Sequence, residues 1–256
     1  MGGRQRKRDR TSKPAAPFMR PDPRVTYTHA QGDQNVQGLQ IPDGALVLAT
    51  GSVKLNDGRL LLYPGPNVAR FNLLEARAHQ KRAEKLRTEL LASLRTLSDG
   101  SFQVTDMRRL FDFLSAATSS VLMSFAAIEG VANALIDNLP EGTSITIDRR
   151  GVPEIIGKGD MARRMAIGEK LDLVVPLTGQ PSPKGTAVWG HFVHLRRLRD
   201  DLVHIKEFGY SAEPTEPQAY GQLLRGDGNT AVQDAALLIN AAAPGWVGEV
   251  SQELGI

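Results

Sequence analysis

The densest set of side chains able to do acid–base chemistry lies between His191 and His204. Phe192, Leu195, Leu198 and Leu202 recur there at spacings of three and four, so a helix over this stretch buries one apolar stripe. Arg196, Arg199, Asp200 and His204 fall on the remaining positions. Asp200 and His204 are four apart and share a face, while Arg199 and His204 are separated by about 7.5 Å along the axis. Such a pair can flank one phosphodiester, above all beside the same pair from a second chain. An imidazole with an ordinary pKa near 6.5 serves as general acid or base at neutral pH. A guanidinium stabilises negative charge developing on a phosphate. The structural alternative is that Arg199 pairs with Asp200, Asp201 or Glu129, and that His204 sits near a helix C-terminus, where a cation is favoured.

A second polar pair stands out by its surroundings. Glu129 and Asn133 lie one helical turn apart in the most apolar stretch of the chain, Val121 to Leu139, and need polar partners there. A buried structural hydrogen-bond pair is their first reading, with Glu129 reaching Arg199 or Arg196. His191 and His194, three apart, can share a face, but no carboxylate accompanies them at fixed spacing, so no metal site is expected. Gly157-Lys158-Gly159 lacks the preceding strand and pattern of a phosphate loop. No serine sits at a nucleophile elbow.

The elements that position these residues are mostly helical. Ala45–Leu48 and Arg59–Tyr63 read as short strands, with Asn56-Asp57-Gly58 as a tight turn, forming a small hairpin over 41–66. A long charged helix is expected from Val68 to Leu97, with Leu86, Leu90, Leu94 and Leu97 as its apolar stripe. A second helix is expected from a Thr105 cap to about Leu139. Ser144–Ile147 alternates weakly and reads as a short extended segment within a loop reaching about Lys158. A third helix follows from Asp160 to about Leu177, a fourth from Ala187 to Lys206, and a last from Thr230 to Pro244. Residues 209–229 read as a linker, and Trp246, Val247, Val250 and Leu254 as a closing amphipathic segment. The architecture expected over 67–256 is mainly α: a four- to five-helix antiparallel bundle behind the hairpin.

Charge is unevenly distributed along the 256 residues. The net formal charge is +3, but residues 1–24 carry +6 and the remainder −3. The basic excess therefore belongs to an N-terminal tail, in which Arg4, Arg6, Lys7, Arg8 and Arg10 are suited to a nucleic-acid backbone. Its bland counterpart is a solvated leader. Residues 1–40, rich in Pro, Gln and Gly, are expected to be disordered. No apolar run follows the basic residues as in a secretory signal, and Glu129, Asn133 and Asp137 make the apolar stretch a core helix instead of a membrane span. The expected location is the cytoplasm. Absence of cysteine rules out disulfides, thiolate metal sites and cysteine nucleophiles.

The string Arg199-Asp200-Asp201-Leu202-Val203-His204, late in an apolar-patterned helix, resembles the R-x(4–6)-H motif of the HEPN superfamily. The helix carrying Glu129 and Asn133 resembles the Glu-x-x-x-Asn helix of some HEPN-like families, and a helix with Glu169-Lys170-Leu171 precedes the motif helix. The resemblance covers roughly residues 70–243. It implies a metal-independent endoribonuclease in a toxin or antiphage role, with RNA as substrate and no cofactor. His204 would then handle the proton, Arg199 the phosphate, and Asp200 would orient one of them. Glu129, Asn133 and Arg196 would support the site. A homodimer is implied, with a cognate antitoxin or regulatory protein as a further partner. The alternative is a HEPN-like module that binds a partner or nucleic acid without cleaving it.

Overall fold

The computed structural model describes residues 22–36, 39–204, 219–248 and 250–255. It is mainly α, about 54% helical, with small two-stranded antiparallel sheets.

The N-terminal strands are more numerous than the sequence suggests. β1 (Tyr27–His29) pairs with β4 (Leu46–Leu48), and β2 (Gln34–Val36) pairs with β3 (Leu39–Ile41). Residues 22–36 and 39–40, expected to be disordered, are thus largely in strands or turns, held by backbone pairing of β1 with the more distant β4 and of β2 with the adjacent β3. β5 (Thr50–Lys54) and β6 (Leu60–Pro64) form the expected hairpin about Asn56-Asp57-Gly58, with Gly58 at φ 85°. The partner of β6 is therefore 50–54, and 45–48 belongs to the β1 pair.

α1 (Val68–Ala92) begins behind Asn67, whose Oδ1 accepts from the Arg70 N–H at 3.1 Å. Its buried seam is Ala69, Leu73, Ala76, Gln80, Ala83 and Leu90, at alternating spacings of four and three over most of its length. Of the leucine stripe expected for the end of the helix, Leu90 belongs to this seam and Leu86 packs partly buried against the core, while Leu94 and Leu97 lie beyond the helix. α1 stops at Ser93, before Leu97, because β7 (Arg95–Thr96) turns through Gly100 and pairs with β8 (Phe102–Gln103).

α2 (Met107–Asp137) is capped by Asp106, not Thr105: the Asp106 carboxylate accepts from the Arg109 N–H at 2.9 Å. It runs antiparallel to α1. Arg109 pairs with Glu89 at one end, and Gly130 lies against Ala69 at the other. Its length and hydropathy match a membrane span, yet Val121, Phe125, Ile128, Val131 and Ile136 are buried within the protein.

β9 (Ser144–Arg149) and β10 (Val152–Gly157) form a full hairpin where a loop with at most a short extended segment was expected, so a strand does precede Gly157-Lys158-Gly159. The expected third helix is broken into α3 (Lys158–Arg164) and α4 (Ile167–Glu169). α4 continues as a π-helical turn over Lys170–Val174 and a 3-10 turn over Val175–Thr178. α5 (Ala187–Val203) buries Phe192, Leu195, Leu198 and Leu202, as their spacing requires. α6 (Ala219–Arg225) occupies part of the expected linker. α7 (Ala231–Ala242) packs against α2 and α5, and α8 (Ser251–Leu254) buries Leu254.

Candidate functional site

α5 carries the motif residues at its C-terminal end. Arg199 lies over the Phe125 ring of α2, its guanidinium carbon 5.1 Å from the centroid, and its NH1 donates to Asp200 Oδ1 at 2.8 Å. The Arg199 side chain is 31% exposed and that of Asp200 46%, so the pair sits at the surface above an aromatic floor. Helical φ,ψ end at Val203. His204 is the C-cap and is exposed; its backbone N–H donates to the Asp200 carbonyl at 2.9 Å. Asp200 therefore directs its carboxylate to Arg199, and its link to His204 runs through the backbone. Arg196 lies 5.7 Å from the Phe192 centroid and is exposed. Asp201 turns the other way, accepting from Gln222 of α6 at 3.2 Å.

Glu129 and Asn133 find a partner that sequence spacing did not suggest. Lys170, in the π-helical turn, is only 7% exposed, and its Nζ donates to Asn133 Oδ1 at 2.8 Å and to the Ala162 carbonyl at 2.7 Å. Burial pushes the Lys170 ammonium below its ordinary range, while the charge of Glu129 acts in the opposite direction. Lys170 is the cation bonded to Asn133, and Glu129 acts on it through its charge; among the described residues no ion pair joins Glu129 to Arg199 or Arg196, where one was expected. Lys170 stands between Glu169 and Leu171 with Asp172 close by, so nothing local marks it as the partner of Asn133.

His191 and His194 also acquire a partner. Asp234 of α7, only 6% exposed at its side chain, lies between them, with His191 Nδ1 at 2.9 Å and His194 Nδ1 at 3.9 Å from its oxygens. Thr230 Oγ1 donates to the same carboxylate at 2.9 Å. Sequence reasoning missed Asp234 because it lies 40 residues beyond the second histidine. Among the described residues no group of three or more His, Cys, Asp and Glu is arranged to hold a metal ion. The basic residues Arg4, Arg6, Lys7, Arg8 and Arg10 lie outside the described residues.

Arg199 and Asp200 form an ion pair near the C-terminal end of α5, His204 is joined to Asp200 through the backbone, and Asn133 is bonded to Lys170 instead. A surface guanidinium can bind an anion, and an exposed imidazole can move a proton. Comparison of the chain with protein families, with curated proteins and with solved structures finds no match.

Proposed function

We propose that the chain is a HEPN-like helical bundle acting as a metal-independent endoribonuclease, in a toxin or antiphage role, built on α1, α2, α5 and α7. The observation that carries this reading is the exposed end of α5, where Arg199 and His204 both remain open to solvent around Asp200. The 2′-OH of RNA attacks the adjacent phosphorus and the 5′-oxygen leaves. The products are a 2′,3′-cyclic phosphate and a 5′-OH end. His204 takes the 2′-OH proton, and a second His204, from the other chain of a homodimer, protonates the leaving oxygen. Arg199 meets the charge gathering on the phosphoryl oxygens, and Asp200 holds its guanidinium in place.

Labelled single-stranded RNA and tRNA, incubated with the protein in EDTA, test this. Cleavage is expected to persist in EDTA and to fall at least about 100-fold in His204→Ala, a loss of the size general acid–base catalysis supplies. Arg199→Ala should fall similarly. Absence of cleavage by folded wild-type protein on every RNA offered would remove the proposal. A second reading, a HEPN-like module that binds a partner or nucleic acid without cleaving it, is favoured by one observation: the charge of Arg199 is already matched within its own chain by Asp200.

A further inference from the structure

A cleft of about 560 Å³ opens between the N-terminal strands, the start of α1, the last turns of α2 and the segment holding Trp246. None of the motif residues of α5 lines it. Its volume falls within the range of small-molecule sites, roughly 300–1,000 Å³.

The chemistry of its walls is specific. Tyr27 and Trp246 supply aromatic surface, and Arg70 ties them together. The Arg70 guanidinium carbon is 5.9 Å from the Tyr27 centroid, and its Nε donates to the Trp246 carbonyl at 3.2 Å. Two asparagines on the wall have their oxygens engaged within the protein. Asn67 Oδ1 accepts from the Arg70 N–H, and Asn133 Oδ1 accepts from the buried Lys170 ammonium. An amide whose oxygen is engaged has its NH2 left over, so both present donors. One turn beyond Asn133 on the same helix stands Asp137, exposed, also on the wall, and in no ion pair among the described residues. Positions four apart on a helix are neighbours, about 5–6 Å between Cβ atoms.

An amide donor beside a carboxylate acceptor, with aromatic rings nearby, is the complement of a planar lactam edge. We propose that this cleft binds a guanine base. O6 would accept from the Asn133 Nδ2, N1–H and N2–H would donate to the Asp137 carboxylate, and the ring would stack on Tyr27 or Trp246. Adenine offers an amino donor where guanine has O6 and no N1–H for the carboxylate, so it leaves Asp137 and Asn133 mismatched. A site built on such hydrogen bonds rejects the analogue that lacks them. Arg70, on the wall of the same cleft, would be the group to meet a 5′-phosphate. Lys170 acts as a positioning residue, holding the Asn133 amide in the donor orientation.

Calorimetric titration of the full chain with guanosine, GMP, AMP and CMP tests this, with no RNA cleavage involved, so the outcome is independent of the ribonuclease reading. Guanosine and GMP are expected to saturate one site per chain, at least tenfold more tightly than AMP or CMP. Asp137→Asn, a surface change that leaves the core untouched, should erase that preference by weakening guanine binding at least tenfold. Tighter binding of GMP than guanosine would place the phosphate on Arg70; equal binding would leave recognition to the base, and either agrees with the proposal. No saturable binding of guanosine or GMP at millimolar concentration would overturn it, as would AMP binding equally well or an Asp137→Asn variant that binds GMP unchanged.

Discussion

Among single residues, Lys170 has the most consequential environment. It is buried and hydrogen-bonded to Asn133 and Ala162, so its removal leaves two acceptors without their donor. Lys170→Met is expected to cost about 1–3 kcal/mol, the desolvation penalty of acceptors left unsatisfied, read from urea denaturation. The pH dependence has a definite sign. Burial lowers the folded pKa from the ordinary 10.5, so the unfolded chain holds this proton at pH values where the folded chain has released it. Stability contributed by this group therefore rises with pH as 10.5 is approached from below. The wild type should gain stability relative to Lys170→Met as pH rises towards 10.5, and identical slopes for the two proteins would refute it. At this scale the sequence was partly legible. The polar pair Glu129 and Asn133 announced a need for partners, but the partner's identity depended on which helix packs beside α2.

Among elements, the α1–α2 pair sets the frame on which α5 is mounted. Its seam is built from Ala69, Ala76 and Ala83, and Ser120 Oγ donates to the Ala76 carbonyl at 3.0 Å, a contact that small side chains permit. A periodic search for large apolar residues finds Leu86, Leu90 and Leu94, of which only Leu90 belongs to the seam, because alanines and Gln80 carry little apolar weight even where they are buried. Gly130 shows how close the helices come: a Cβ there would lie 3.3 Å from the Ala69 nitrogen and 3.3 Å from Val68 Cγ1. Alanine gains about 1 kcal/mol over glycine in helix propensity, but this neighbour is the backbone of the first turn of α1 and cannot step aside. Overpacking costs typically 1–3 kcal/mol, so Gly130→Ala should lower stability by about 1 kcal/mol net, seen as a lower urea midpoint. An unchanged or raised midpoint would show that the helices separate freely. α5, by contrast, was readable from its spacing, since its stripe is made of large residues: Phe192, Leu195, Leu198 and Leu202.

Across the whole molecule, the helical core and the small sheets obey different rules. The β5–β6 hairpin projects Leu60 and Leu62, each 67% exposed, although both lie in its most apolar run. Leu60→Ser with Leu62→Ser should change stability by less than about 0.5 kcal/mol, as exposed positions do; a larger loss in thermal melting would mean that this run is covered. Periodicity within one or two turns was enough to mark the helices of the core and to leave Arg199 and His204 off the buried stripe of α5. That information is local, because a helix places residues three and four apart on one face whatever else the chain does. Pairings between distant segments were decided only by the tertiary structure: β1 with β4, Lys170 with Asn133, and Asp234 between His191 and His194. Hydrogen bonds and ion pairs of this kind follow which surfaces the core brings together, and no spacing along the chain encodes them.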